Sequence, residues 1–200
     1  MRQRPELQRV AAVILAAGGS ARFGAPKQLL TYHGENLVQR AARVAIEAGL
    51  DPVIVVLGAY ASSIESFLSE FPEVIVAIND RWESGQASSL RVGIEEAIVA
   101  GSDAALIMLA DQPLIDASSI ARLVAAFDNQ HRIVASWYNG IHGVPAVFGT
   151  ELFPELLALT GDHGAGPRIR KRTNKVTAVT MDEATFDIDT QDDLKHLPHD

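Results

Sequence analysis

Strand-length apolar segments alternate with amphipathic segments along most of the chain, and this alternation restricts the fold more than any other feature. The apolar segments comprise residues 10–15, 53–57, 74–78, 104–109, 133–135, 144–148 and 176–180. Several of the early ones are apolar throughout, which is typical of parallel strands covered on both faces. The segments between them have the spacing of helices that would supply this cover. We therefore predict a three-layer α/β/α sandwich with a mostly parallel sheet, in one domain over residues 1–200.

Cap and turn residues mark the ends of the predicted helices. Ser62 and Glu65 have the spacing of a capping box for a helix that ends before Pro72. Asp116 is the predicted N-cap of a later helix, and Gly49 follows the helical segment that starts near residue 35. Each predicted helix therefore fits between two predicted strands.

Composition excludes several classes of function. The formal net charge is −8, which disfavours a nucleic-acid surface because such surfaces need clustered Lys and Arg. Cysteine is absent, so disulfides, thiolate metal sites and a cysteine nucleophile are excluded. The sequence shows no signal peptide and no apolar stretch of membrane-spanning length. We expect a cytoplasmic protein that acts on neither membranes nor nucleic acids.

The first apolar segment leads into a glycine-containing loop with two cations, in the stretch LAAGGSARFGAPKQLL. Gly18, Gly19 and Gly24 allow positive φ and close approach of a ligand, as a phosphate-binding loop requires. Arg22 and Lys27 supply positive charge. A P-loop is excluded because Gly-Lys-Ser/Thr does not follow, and the dinucleotide fingerprint is excluded because the first two glycines are adjacent. The open alternatives are a phosphate-binding loop and a tight turn with solvated cations.

Two acidic segments lie where strands are expected to end. Asp111 follows the fourth apolar segment in LADQP, and a carboxylate there can hold Mg²⁺ together with water and substrate phosphates. Asp187 and Asp189 in FDIDTQDDL share a side if that segment is a strand. Asp189 beside Asp111 would make a metal site with two carboxylates. The alternative is that Asp111 and Pro113 form a simple turn.

A polar segment, NDRWESGQASSL, follows the third apolar segment. Asn79 and Ser88 are candidates for binding a ribose or an anion at the start of a helix. In the alternative, Trp82 packs against the core and Ser88 only caps the helix. A basic stretch at residues 168–175 could receive an anionic substrate or form a solvated helix face. The histidines lack metal-site spacing, and no serine-hydrolase elbow occurs.

Six motifs, in order, resemble those of the MobA-like nucleotidyltransferase family: LAAGGSARFGAPKQLL, NDRWESGQASSL, LADQP, GIHGVPAVF, GDHGAG and DIDTQDDL. The first is similar to the family pattern L-A-A-G-x-S-x-R-x-G-x-x-K. The resemblance spans residues 13 to about 194. It implies a Rossmann-like fold and Mg²⁺-dependent transfer of a nucleoside monophosphate from an NTP to a phosphorylated acceptor, with release of pyrophosphate.

The resemblance also implies roles for particular residues. Arg22, Lys27 and Asp111 would be catalytic, and Asp111 and Asp189 would hold Mg²⁺. The nucleotide would be bound by Leu15, Ala16, Ala17, Gly18, Gly19, Lys27, Asn79, Ser88 and Asp111. The acceptor would be bound by Gly143, Asp162 and Arg168. Transfer at an α-phosphate needs no protein nucleophile, because the acceptor phosphate attacks in line.

Within the family, the chain is most similar to the molybdenum cofactor cytidylyltransferases. They have Leu-Ala-Ala-Gly where guanylyl-transferring relatives tend to have Leu-Ala-Gly-Gly, so Ala17 indicates CTP. The implied acceptor is a phosphorylated pterin, and the implied partner is a molybdoenzyme or its chaperone. Gly166 stands where family members often have arginine, so either Arg168 or Arg170 would replace that contact or the contact with the acceptor would be missing. The alternatives are another NTP, another phosphorylated acceptor, or a non-catalytic chaperone that binds molybdenum cofactor.

Overall fold

A twisted sheet of mostly parallel strands organises the molecule. The computed structural model describes residues 8–128, 132–166, 169 and 175–198. The strands are β1 (Val10–Leu15), β2 (Thr31–Tyr32), β3 (Glu35–Asn36), β4 (Val53–Leu57), β5 (Val74–Ile78), β6 (Ala104–Leu109), β7 (Ile133–Tyr138), β8 (Ile141–Gly149) and β9 (Thr177–Thr180). The main sheet has the order β5-β4-β1-β6-β8-β7-β9. In it β8 pairs antiparallel with both neighbours, whereas the other pairings are parallel.

Helices cover both faces of this sheet. They are α1 (Leu37–Glu47), α2 (Ala61–Leu68), α3 (Gln86–Val99), α4 (Ala117–Ala126) and α5 (Phe153–Leu157). Side chains of α1, α2 and α4 pack on one face in a buried cluster, and those of α3 and α5 pack on the other. The predicted α/β/α sandwich with a mostly parallel sheet is therefore confirmed.

The strand β1 is buried at every residue because helices pack on both of its faces. On one side, α3 approaches so closely that a Cβ on Gly93 would collide with the side chain of Val13. Leu90 and Ile94 of the same helix are fully buried, and each such side chain contributes roughly 1.5–3 kcal/mol to folding. The continuous apolar pattern of the sequence reflects this two-sided burial.

The predicted cap at Asp116 is confirmed, whereas the predicted capping box of α2 is wrong. The Asp116 carboxylate accepts a hydrogen bond from the backbone N–H of Ser119 at 2.8 Å, which lowers the pKa of Asp116. Ser62 lies inside α2, which begins at Ala61 without a side-chain cap. Ala61 N donates to the Gly58 carbonyl, so the turn after β4 leads directly into the helix, whose N-cap is Tyr60 and not Ser62.

The small hairpin of β2 and β3 is absent from the sequence prediction because each strand has only two residues. It turns through His33 and Gly34, whose φ angles are 49° and 81°. Among the described residues, no helix combines the length and hydropathy that crossing a membrane requires.

Candidate active site

The candidate site is a cleft at the carboxyl ends of β1 and β6. From β1, the sheet continues through β4 and β5 on one side and through β6 on the other. Ligands of open α/β sheets bind at such a switch point because the loops after the two strands diverge there. The cleft has a volume of about 410 Å³, and Leu15 and Leu109, the last residues of the two strands, line it.

The loop after β1 turns through Ser20 and Gly24, whose φ angles are 51° and 82°. Gly18 and Gly19 do not have positive φ, so the expectation that they need it is wrong. Gly19 has a packing role instead, because a Cβ there would lie 3.0 Å from the Trp82 ring. A Cβ on Gly18 would meet nothing within 4 Å, so this residue faces open space in the cleft.

Gln28 fixes the glycine loop from beneath. Its amide nitrogen donates to the carbonyls of Ala16 and Gly18 at 2.9 and 2.8 Å, and the residue is only 4% exposed. Ser20 Oγ lies 3.4 Å from the Gln28 amide oxygen. A buried amide with two good acceptors holds the backbone in one arrangement. Sequence reasoning did not single out Gln28, because its role depends on contacts with loop carbonyls that the sequence does not reveal.

Lys27 connects the glycine loop with the two acidic segments. Its Nζ lies 2.6 Å from Asp111 Oδ2, 3.2 Å from Asp189 Oδ1 and 2.8 Å from the Ile188 carbonyl oxygen. Burial opposes the charged form of Lys27, but the charge and hydrogen bond of Asp111, with those of Asp189, outweigh it and raise the pKa of Lys27. The lysine is therefore a fixed cation at neutral pH.

Backbone contacts bring Asp189 to the end of β6. Ile188 N donates to the Asp111 carbonyl at 2.9 Å, and Asp189 N donates to Asp193 Oδ2 at 2.9 Å. Asp193 also accepts from Thr190, and this capping box begins the 3₁₀ helix Gln191–His196. The structure thus brings Asp111 and Asp189 together on Lys27, as the sequence predicts for a site with two carboxylates.

Asp187 adds a third carboxylate to this region. Residues 186–189 do not form a strand, so the condition under which Asp187 and Asp189 would share one side of a strand is not met. Their backbone instead contacts the end of β6 through Ile188. Burial, together with the negative charges of Asp111 and Asp189, raises the pKa of Asp187. Three carboxylates and two cations therefore lie close together in this region.

Arg22 is the second cation and lies nearer to solvent. Its Nη2 is 2.8 Å from Asp189 Oδ2, and its side chain is 72% exposed, compared with 16% for Lys27. The site therefore combines an exposed outer guanidinium with a mostly buried inner ammonium. Both line the cleft.

The carboxylates can supply part of a cation site. Asp111 Oδ1 is buried and has no hydrogen-bond partner in the described part of the chain, so it is available to a cation. No group of three or more His, Asp or Glu within the described residues is arranged to hold a metal ion. A hard cation at Asp111 and Asp189 would therefore complete its shell with water and substrate oxygens, as Mg²⁺ commonly does.

Most of the predicted nucleotide-binding residues line the cleft: Leu15, Ala16, Ala17, Gly18, Gly19, Lys27 and Asp111. Arg22 and Asp189 line it as well. So do Trp82, Gln86 and Ser89, which were not predicted as site residues although they belong to the polar segment after β5. Their position directly after a strand is the signal that could have identified them, but the prediction applied it only to Asn79 and Ser88.

Asn79 and Ser88 do not line the cleft. Asn79 is 4% exposed, and its amide donates to Ser88 Oγ at 2.8 Å and to Ser89 Oγ at 2.9 Å. Ser88 Oγ donates to backbone carbonyls of the same loop, including that of Gly85 at 2.8 Å. This network holds the loop between β5 and α3. The side chains of Asn79 and Ser88 therefore support the loop, whereas Ser89 lines the cleft.

A second cavity of about 330 Å³ adjoins the first, and the predicted acceptor residues Gly143 and Asp162 line it. Asp162 also lines the first cavity, so the two cavities are adjacent. A Cβ on Gly143 would collide with the Tyr138 hydroxyl, so glycine is needed beside this ring. Arg168, the third predicted acceptor residue, lies outside the described residues, as does Arg170.

A model of the MobA-like NTP transferase domain matches residues 12–176. The chain is 32% identical over 203 residues to the nicotine blue oxidoreductase of Paenarthrobacter nicotinovorans, covering 96% of this chain and 98% of that protein. It is 32% identical to the purine catabolism protein PucB of Bacillus subtilis, covering 76% and 77% of the two chains. A probable molybdenum cofactor guanylyltransferase of Opitutus terrae is 27% identical, covering 70% and 66%.

Solved structures agree with this relationship. The structure of Rv0371c from Mycobacterium tuberculosis superposes with a TM-score of 0.81 at 28% identity, covering 94% of this chain and 97% of that one. A second structure of Rv0371c, in complex with manganese, gives a TM-score of 0.76 at 27% identity, with the same coverage of both chains.

Proposed function

Since the chain belongs to the MobA-like NTP transferase family and is a nucleotidyltransferase, we propose that it transfers CMP from CTP to molybdopterin cofactor and releases pyrophosphate. One observation carries the proposal. Lys27, Arg22, Asp111 and Asp189 converge at one end of a cleft whose other walls include the glycine loop. Paired cations for a triphosphate beside paired carboxylates for a divalent cation are the groups that phosphoryl-group transfer needs.

The triphosphate would lie along the glycine loop, with Arg22 and Lys27 beside its β- and γ-phosphates. A phosphate oxygen of the acceptor forms a bond to the α-phosphorus, and the bond from that phosphorus to the bridging oxygen of the β-phosphate breaks. The electron pair leaves with pyrophosphate, whose negative charge the two cations stabilise. The protein contributes position and charge, and Gln28 keeps the loop in place.

Mg²⁺ is the proposed cofactor. Asp111 and Asp189 would hold it, and the buried, unpartnered Asp111 Oδ1 fits this assignment. When bound, the ion would neutralise charge on the phosphates and help to orient them. The manganese complex of the related Rv0371c supports a divalent cation in this family.

Leu15, Ala16 and Ala17 are proposed to bind the base, and Ala17 supports CTP. Ala17 lines the cleft just beyond the end of β1, and we propose that its methyl group favours the smaller pyrimidine base over a purine. The probable molybdenum cofactor guanylyltransferase among the relatives supports a molybdopterin acceptor. The acceptor would occupy the second cavity, where Gly143 and Asp162 lie next to the proposed nucleotide site.

An oxidoreductase is the second candidate, because the relative named as a nicotine blue oxidoreductase is 32% identical across 96% of this chain. A chaperone that only binds molybdenum cofactor is the non-catalytic alternative. Neither of these activities releases pyrophosphate, so neither would need Asp111 and Asp189 for nucleotidyl transfer.

A screen of nucleotides against acceptors tests the proposal. The protein is incubated with Mg²⁺, each of the four NTPs, and either molybdopterin or no acceptor, and pyrophosphate is measured. We expect release chiefly with CTP, and only when molybdopterin is present. Equal release with GTP would contradict the base assignment. Absence of release with every NTP would contradict nucleotidyl transfer to molybdopterin, and reduction or oxidation of nicotine blue by the protein would then favour the oxidoreductase.

A further inference from the structure

Side-chain cations occupy the carboxylates to which a metal ion is assigned. Lys27 Nζ lies between Asp111 Oδ2 and Asp189 Oδ1, at 2.6 and 3.2 Å. Arg22 Nη2 is 2.8 Å from Asp189 Oδ2. Of the four oxygens of this carboxylate pair, Asp111 Oδ1 is the one with neither an ion-pair nor a hydrogen-bond partner within the described chain. A divalent cation and the two side chains therefore compete for the same oxygens.

We infer that Lys27 and Arg22 keep divalent cations out of the nucleotide-free site, and that a bound triphosphate admits the cation by drawing both side chains away from the carboxylates. The inference rests on the proposed function in one respect, since it takes a triphosphate as the ligand. It adds that binding of the metal and binding of the nucleotide depend on each other, since neither ligand completes the site alone.

The two cations differ in a way that suits this exchange. Arg22 is 72% exposed, and within the described residues its ion-pair partner is Asp189, so little packing resists its movement toward a phosphate. Lys27 is 16% exposed and retains the Ile188 carbonyl as a partner, so its ammonium stays beside the cleft when a carboxylate is released. Both side chains line the same cleft as the glycine loop, where the triphosphate is proposed to lie.

Charge explains the direction of the coupling. A cation that approaches Asp111 Oδ1 meets an ammonium on the other oxygen of the same carboxylate, and the two repel each other in a partly buried site. A triphosphate brings several negative charges, which attract Lys27 and Arg22 and leave the carboxylates with uncompensated charge. By linkage, the factor by which triphosphate strengthens metal binding equals the factor by which metal strengthens triphosphate binding.

Binding of Mn²⁺, followed by the electron paramagnetic resonance signal of the free ion, tests the inference without turnover. Four proteins are compared without nucleotide: wild type, Lys27→Met, Arg22→Met and Arg132→Met. Arg132→Met is the matched control. Arg132 forms an exposed pair with Glu151 at 2.9 Å and lies immediately before β7, at the end of that strand away from the cleft. We expect the Lys27 variant to bind Mn²⁺ about 5- to 150-fold more tightly than wild type, the usual range of coupling between sites. The Arg22 variant should show a smaller gain and the Arg132 variant none.

A second arm adds inorganic triphosphate, which supplies the charge without a base, and corrects for the Mn²⁺ that it binds without protein. Triphosphate should strengthen Mn²⁺ binding in the wild type more than in either site variant. Equal Mn²⁺ affinity of wild type and both site variants without triphosphate would overturn the inference. If Lys27→Met fails to fold, as judged by circular dichroism, the Arg22 variant decides alone.

The two proposals fail in different ways. Pyrophosphate release with CTP and unchanged Mn²⁺ binding in the variants would overturn the inference and leave the proposed function standing. The expected Mn²⁺ behaviour without release from any NTP would contradict the proposed function and support the exchange of cations.

Discussion

The ammonium of Lys27 lies 2.6 Å from Asp111 Oδ2, although the two residues are 84 positions apart in the sequence. One follows β1 and the other follows β6, and these strands are neighbours in the sheet. The contact therefore joins the phosphate-binding and metal-binding parts of the proposed site. Each part can be tested by a substitution that alters one group and keeps the fold.

Asp111→Asn is expected to abolish turnover and leave the protein folded. The amide has the size of the carboxylate but lacks its charge, and loss of several kcal/mol of charge stabilisation corresponds to about a hundredfold or greater fall in kcat. Pyrophosphate release measures the rate, and circular dichroism measures the fold. Asp51→Asn is the control, since Asp51 pairs with Arg9 at 3.1 Å before β4, away from the cleft. An unchanged rate in Asp111→Asn would remove Asp111 from the site.

Lys27→Ala is expected to weaken triphosphate binding and turnover together. A charge-assisted hydrogen bond contributes roughly 1.5–3 kcal/mol, so kcat/KM for CTP should fall about 10- to 150-fold. Steady-state kinetics measure this, with Lys195→Ala as the control because Lys195 forms an exposed pair with Asp192 at 2.7 Å. A change in thermal stability without any change in kinetics would make Lys27 a structural residue only.

Gln28→Leu is expected to lower both stability and activity. The substitution leaves the carbonyls of Ala16 and Gly18 without their side-chain donor, which costs roughly 1–3 kcal/mol where the acceptors are buried. Urea denaturation measures the free energy of unfolding. Gln191→Leu is a matched control, since Gln191 makes one longer bond, of 3.3 Å, to the carbonyl of Phe23 in the same loop. Equal stability of the two variants would show that Gln28 does not hold the loop.

Ala17→Gly is expected to shift the preference of the site from CTP toward GTP. Removing the methyl group is proposed to leave more room for the larger purine, and one such group in a binding pocket changes discrimination by about tenfold or more. The ratio of kcat/KM for CTP and GTP measures the shift. Ala21→Gly makes the same change elsewhere in the lining and should leave the ratio unaltered. If both variants keep the wild-type ratio, Ala17 does not select the base.

Glu35→Gln is expected to reduce stability at neutral pH but not in acid. Hydrogen bonding from Arg43, opposed by burial and assisted by Arg40, lowers the pKa of Glu35 below its usual value of 4.5. A carboxylate whose pKa falls on folding stabilises the protein above its unfolded pKa, and this contribution is lost as the pH falls through the folded pKa. The difference in unfolding free energy, about 1 kcal/mol for a partly exposed pair, should therefore be full above pH ~5.

The control for this pH dependence is Glu47→Gln. Glu47 pairs with the same Arg43 at 2.9 Å but is half exposed and lies one helical turn away. Such pairs contribute about 0.3–0.5 kcal/mol. A difference between wild type and Glu35→Gln that does not diminish below pH ~4 would contradict the assignment of the effect to ionised Glu35.

The sheet and its order of layers could be predicted because burial leaves a direct pattern in the sequence. The predicted strands at residues 10–15, 53–57, 74–78 and 104–109 coincide with β1, β4, β5 and β6. β7 and β8 extend beyond their predictions because their hairpin end contains polar residues and glycine, such as Ser136, His142 and Gly143, which interrupt the apolar pattern. The position of Lys27 and Asp111 after neighbouring parallel strands follows from the same pattern, since those strand ends meet at one edge.

The remaining features depend on tertiary contacts that a local pattern does not contain. For example, Ile188 N donates to the Asp111 carbonyl and so brings the segment with Asp187 and Asp189 to the end of β6. The start of α2 after Tyr60 is a local exception, because the turn after β4 sets it. In the sequence, nothing distinguishes Gln28 from other polar residues. Only the fold shows that its amide is buried against the carbonyls of Ala16 and Gly18. Asn79 is a similar case, since its position in a polar segment does not reveal that its side chain donates hydrogen bonds to Ser88 and Ser89.

The central claim is tested most directly by the mass of the acceptor after reaction. The protein is incubated with Mg²⁺, CTP and molybdopterin, and the pterin product is analysed by mass spectrometry, with Asp111→Asn as the inactive reference. We predict that the acceptor gains one cytidine monophosphate for each pyrophosphate released, and that it gains none with the variant. An acceptor of unchanged mass with the folded wild-type protein, under conditions in which both substrates are bound, would contradict the account.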